Sequence, residues 1–270
     1  MISNKLNPKF AQSITKEEIF NDGVIIFTKK FEKLKFMSTS TLRYSSITKK
    51  VIMALAGLFL ITFLFVHLGI NITVLIPGNE TTQDREIFNR AAHFMGTFPL
   101  IKVFEVILFG GFIIHILYGF ILQIQNWLAR PARYKVEGWS HTSPFSKFMI
   151  HTGIIILIFL VIHMADFYVK AKFLGEVDDV VYNGEVYHDL GALIILKFQH
   201  AGFVIGYIIA FILLGFHLHH AFQSGFQSLG LNHSKYTPFL KGLSTVISII
   251  IPIGFTIIPL VIYFSSNYTV

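Results

Sequence analysis

The chain has 270 residues, of which 53% are hydrophobic, 15% aromatic and only 14% charged, and its formal net charge is +7. Soluble domains carry about 25% charged residues, and 29 Phe against 15 acidic residues exceed what one water-soluble core of this size can bury, so apolar surface must face lipid. Cys is absent, which excludes disulfides, thiolate metal sites, iron–sulfur ligation and covalent haem attachment, and leaves the 12 His as the strong metal ligands.

Residues 1–40 are polar, mixed in charge and without the apolar run of a signal peptide. They are expected to form an N-terminal extension to a membrane domain over residues 41–270. Met37 opens MSTSTLRYSSITKK, a natural start, and residues 1–36 are expected to be an upstream over-extension rather than a cytosolic arm. Five apolar stretches follow, each long enough to cross a core of about 30 Å as a helix: Lys50–Ile76, Pro99–Asn126, Ser146–Val169, Gly191–Phe222 and Phe239–Phe264. Pro77-Gly78, Arg130-Pro131 and the polar run Gly175–Asp189 punctuate them. The fold class expected is an all-α membrane protein, a bundle of five transmembrane helices.

Charge placement predicts its orientation. Lys and Arg number ten in residues 1–50, four between spans two and three counting Lys147 at the span end, and two between spans four and five counting Lys241 at the span end. The opposite side holds six, with Glu176, Asp178, Asp179, Glu185 and Asp189 in one loop. The positive-inside rule then puts the N-terminus in the cytoplasm and the C-terminus outside. The positive charge thus orients helices and presents a basic surface to soluble partners; it is no sign of nucleic-acid binding.

Ionisable residues inside spans are costly and are functional candidates by default. Four His fall one per span: His67, His115, His163 and His217. Any one of them alone can be a neutral imidazole bonded to a neighbouring helix. Their depths raise the ligand reading. At 1.5 Å per residue, His67 lies about 26 Å and His163 about 24 Å from the inner ends of their spans, His115 about 16 Å and His217 about 9 Å. Two levels of two His suit two bis-His b-type haems, since haem iron takes axial imidazoles. Gly69, Gly110, Gly111, Gly202, Gly206 and Gly215 can leave room for the macrocycles, or simply allow close helix packing.

The chain resembles the five-helix, di-haem cytochrome b anchor of bacterial succinate dehydrogenases and fumarate reductases. The resemblance rests on SSITKKVIMALAGLFLITFLFVHLGIN (Ser45–Asn71), FNRAAHFMGTFPL (Phe88–Leu100), EVILFGGFIIHILYGF (Glu105–Phe120), VIHMADFY (Val161–Tyr168) and FHLHHAFQSGFQSLG (Phe216–Gly230). It implies that His67 and His163 ligate the haem distal to the soluble subunits, and His115 and His217 the proximal one. It further implies flavoprotein and iron–sulfur partner subunits, a quinone substrate (menaquinone is expected) and the bacterial cytoplasmic membrane. No flavin, nucleotide or iron–sulfur motif occurs in the sequence, so this chain is expected to be the quinone-reactive subunit without the dehydrogenase site. Some family members carry a Glu two residues before the fourth-helix His; Gly215 stands there, which favours succinate oxidation.

His220 points about 60° from His217 and is the fallback ligand, whereas His219 points about 160° away. His93 can line a quinone pocket or meet a distal propionate, and His200, with Lys197 and Gln199, can meet propionates or snorkel. Asp166, three residues after His163, can orient that imidazole; Glu105 is expected near the interface. Trp127, Trp139, Tyr118 and Tyr134 are expected at the inner aromatic belt. Two rivals remain: a b-type cytochrome of the quinol–cytochrome c reductase kind, which takes two ligands from each of two helices at a fixed gap of about 13 residues that no pair of intramembrane His has on one helix here, and a haem-free transporter or proton channel with His relays.

Overall fold

In lipid a backbone has no hydrogen-bond partner but itself, so apolar runs of this length close as helices. The computed structural model describes residues 46–76, 85–128, 148–265 and 268. The expectations for residues 1–40, Met37, Pro77-Gly78, Arg130-Pro131, Tyr134 and Trp139 lie outside them. In chain order the elements are α1 (Ser46–Asn71) with a 3-10 turn Ile72–Leu75, α2 (Glu86–Thr97), α3 (Pro99–Leu128), α4 (Met149–His163) continued by a π-helix Met164–Leu174, strands β1 (Asp179–Tyr182) and β2 (Glu185–His188), α5 (Leu190–Phe198), α6 (Ala201–Ser228) and α7 (Thr237–Phe264). Five of these helices, α1, α3, α4 with its π extension, α6 and α7, are long and apolar enough to cross a membrane. The chain is an all-α membrane protein built on five such helices, with one small hairpin.

The core lies between α6 and α7. Val204, Tyr207, Phe211, Leu218 and Phe222 recur at intervals of three, four or seven on α6, and Ile247, Ile251, Phe255, Ile258 and Ile262 do so on α7. This is the spacing that keeps one helical stripe facing its neighbour. Pro252 has no N–H for the Ser248 carbonyl, and Gly215 lies against that carbonyl: a Cβ at Gly215 would come within 2.8 Å of it. Helix α3 is different. None of its residues is buried.

Two features between spans depart from expectation. The fourth span does not begin at Gly191. The chain leaves helix at His200 (φ −94°, ψ 116°), and α5 stands apart from α6. Its Gly191, Ile194, Ile195 and Phe198 are buried against protein rather than lipid. The loop before the second span and the polar run after the third are also structured, as α2 and the β-hairpin. The hairpin turns on Asn183 and Gly184, both at positive φ, as a two-residue turn between right-twisted strands requires.

These pieces form a polar-bonded cap on one side of the bundle. Asn89 is fully buried; its amide donates to Tyr182 Oη at 3.0 Å and Asp189 Oδ1 at 2.9 Å, and accepts from Gly191 N at 2.9 Å. Asp189 also caps α5 through Ala192 N. Arg85 lies over the Tyr268 ring, and Tyr268 Oη donates to the Leu75 carbonyl, tying the ends of α7 and α1 together. On the hairpin, Tyr187 donates to Glu185, which raises the pKa of its phenol above the ordinary value, and the bond to Glu86 does the same for Arg90.

Candidate histidine centres

The four intramembrane His come from four helices and meet in two pairs. His67 of α1 and His163 of α4 have ring centres 5.8 Å apart and nearly perpendicular planes, at 86°. His115 of α3 and His217 of α6 are 6.3 Å apart at 74°. An imidazole nitrogen sits about 1.1 Å from its ring centre and binds a metal at about 2.0 Å, so two axial rings on one ion stand about 6 Å apart. Each pair has that separation.

The pairs differ in depth and in surroundings. Because α6 runs on to Ser228 rather than ending at Phe222, His217 lies about 16 Å from its end. His115 lies about 20 Å from the Leu128 end of α3, so the two share a level more closely than the apolar run indicated. Aromatic rings enclose the other pair: Phe63 and Phe255 lie 5.2 and 5.7 Å from His67, and Phe159 and Phe167 lie 5.7 and 5.3 Å from His163. The His115–His217 pair is bordered by glycine instead. A Cβ on Gly57 would lie 3.3 Å from His115 Cε1, and one on Gly153 would lie 3.5 Å from His217 Cε1. Among the glycines expected to leave space, Gly69, Gly110, Gly202 and Gly206 do face open space, whereas Gly111 and Gly215 are helix contacts with Phe59 and Ser248.

The imidazole nitrogens have unlike partners. His217 Nδ1 is 3.3 Å from Thr152 Oγ1, and His163 Nδ1 is 3.3 Å from Tyr207 Oη. The Asn71 amide, which donates to the His67 carbonyl at 2.7 Å, also lies 3.3 Å from His67 Nδ1. His115 Nδ1 is buried with no hydrogen-bond partner among the described residues. A buried nitrogen in that state is costly unless something else engages the ring. Among the described residues no group of three or more His, Asp, Glu or Cys is placed to hold a metal ion. Each level offers two nitrogen donors, too few for a protein-only metal site and the number that a macrocycle with its own four nitrogens needs.

Other sequence candidates fall elsewhere. Asp166 does not orient His163; Lys197 takes its carboxylate at 2.5 Å, in a pair whose side chains are 16–18% exposed. Lys197 also lies 4.4 Å from the Phe203 ring centre. Glu105 accepts from both Tyr168 and Lys172, joining α3 to the π-helix. His93 is on α2, not in a loop, with its ring 5.0 Å from Tyr187, and His200 is an exposed residue at the start of α6 beside Phe203. His220 is half-buried; the histidine in ring contact with His115 is His217. His219 is bonded to Gln223 and Thr245. The residues that sequence reasoning passed over are Thr152, Tyr207, Gly57 and Gly153. A hydroxyl inside an apolar run is a readable signal, one that could have found the first two.

No family model, characterised protein or solved structure matches the chain in the comparisons made.

Proposed function

We propose that the chain is the membrane-anchor cytochrome b subunit of a bacterial succinate dehydrogenase or fumarate reductase, seated in the cytoplasmic membrane with its N-terminus inside. On this reading His67 and His163 hold the distal haem b, and His115 and His217 the proximal one. The observation that carries it is the pair of His–His contacts at 5.8 and 6.3 Å, drawn from four different helices. Haem bound in this way supplies a one-electron centre inside a low-dielectric medium, its potential set by axial ligand and burial. The chain's own residues bind and orient. The four imidazoles set position, Phe63, Phe159 and Phe255 keep water from one pair, and the basic flank of α1 favours soluble partners on its side.

Those partners are a flavoprotein and an iron–sulfur subunit, and the electron acceptor or donor in the membrane is a quinone, menaquinone being the expected species. The chain therefore belongs to an enzyme as its quinone-reactive subunit. Gly215, standing where some family members carry a proton-transferring Glu, supports succinate oxidation as the direction, and the Ser248 carbonyl against it leaves no room for such a side chain.

A reduced-minus-oxidised spectrum of the purified protein tests the reading. Two b-type haems per chain are expected, and His67→Ala, His115→Ala, His163→Ala and His217→Ala should each remove about one. Absence of α-band absorbance would reject it in favour of a haem-free transporter or proton channel. Co-purification of the two soluble subunits, with succinate:quinone activity, tests the partners.

A further inference from the structure

We propose that Thr152 and Tyr207 are positioning residues for one imidazole in each histidine pair: Thr152 sets the tautomer of His217, so that its Nε2 lone pair is free for a ligand, and Tyr207 holds the ring of His163 in place. The inference rests on the haem reading above and adds two residues that neither the resemblance nor the histidine spacing points to.

Proton bookkeeping carries it at the His115–His217 pair. Thr152 Oγ1 has one hydrogen and lies 3.0 Å from the Met149 carbonyl, to which it donates. A carbonyl can only accept, so that hydrogen is committed there. The contact of the same oxygen with His217 Nδ1 at 3.3 Å must then be donated by the ring. A neutral imidazole has a single N–H; with it on Nδ1, Nε2 carries the lone pair. Thr152 is buried at 9% exposure, so water does not compete for the bond.

Tyr207 orients the imidazole at the other level. Its Oη is 3.3 Å from His163 Nδ1. Phe159, Phe198 and Phe211, at 4.9, 5.0 and 5.9 Å, pack edge-on around its ring and hold it in place. The arrangement is reciprocal between two helices: Thr152 of α4 braces His217 of α6, and Tyr207 of α6 braces His163 of α4. A partner of this kind on the far nitrogen fixes ring orientation and strengthens the ligating nitrogen as a donor.

Potentiometric titration of the haem absorbance in the purified full chain tests the proposal. Thr152→Val keeps shape and removes the acceptor, weakening His217 as a donor to the oxidised iron. One haem component should shift by about tenfold in its redox equilibrium toward the reduced form, about 59 mV for one electron, while the other stays. Tyr207→Phe should shift the other component instead, and Thr152→Ser should restore wild-type behaviour. The proposal is overturned if both variants titrate as wild type, if both move the same component, or if Thr152→Ser behaves as Thr152→Val. A wild-type protein with no haem absorbance overturns the functional reading and this inference together; unmoved potentials in a protein with both haems overturn this inference alone.

Discussion

Replacing Asn89 by Ala should loosen the cap without disturbing the spans. The Asn89 side chain is fully buried and makes three bonds, to Tyr182, Asp189 and the Gly191 amide. Asp189 keeps the bond from Ala192 N, but the Gly191 N–H is left buried and unpaired. At about 1 kcal/mol net for each lost bond, with about 1 kcal/mol more for the orphaned donor, the cost is about 3–4 kcal/mol. That raises the fraction of molecules with an open cap by about 140- to 700-fold at about 1.4 kcal/mol per tenfold. Limited proteolysis in the hairpin measures it, because cleavage tracks the open population when reclosing is fast. Hydrogen exchange at Gly191 reports the same opening. Asn89→Asp should be worse, since it sets a second carboxylate against Asp189. Hairpin cleavage in Asn89→Ala at the wild-type rate would refute the view that this amide holds the cap together.

Three further outcomes follow from the same geometry. On the proposed reading Gly57→Val should deplete one haem and spare the other, because a Cβ there would lie 3.3 Å from His115 and a branched side chain must push the imidazole aside; Gly242→Ala, at an exposed position on α7 where a Cβ meets nothing within 4 Å, is the neutral control, and haem content by pyridine haemochrome reads both. Lys197→Met should lower stability in detergent by about 3 kcal/mol by stranding the Asp166 carboxylate, and adding Asp166→Asn should recover part of the loss; a double mutant no better than the single would show that the two groups do not interact. The native chain has no Cys, so Val181→Cys, at an exposed hairpin position, gives a clean topology probe. An impermeant maleimide should label it in intact cells if the hairpin lies outside, whereas labelling only after lysis would reverse the proposed orientation.

Local pattern was enough to reveal the spans, because an apolar run long enough to cross a bilayer has one way to satisfy its backbone. The intramembrane His could be read for the same reason: a polar group in such a run is conspicuous. The break at His200 was hidden because the residues of α5 are as apolar as a span, and only packing reveals that Ile194, Ile195 and Phe198 face protein. The hairpin did leave a signal in Asn183-Gly184 between alternating residues, although its surrounding acids read as loop.

Sequence by itself determined the class of the chain, the number of spans and the identity of the four intramembrane imidazoles, since these depend on composition and on order along one helix. Depth along each span already grouped His67 with His163 and His115 with His217; their ring contacts depend on how four separate helices pack, and the tertiary structure supplies those. The same holds for the partners of Asp166 and Glu105, and for the hydroxyls at His163 and His217. A hydrogen bond between helices is a long-range contact; no periodicity within either helix encodes it.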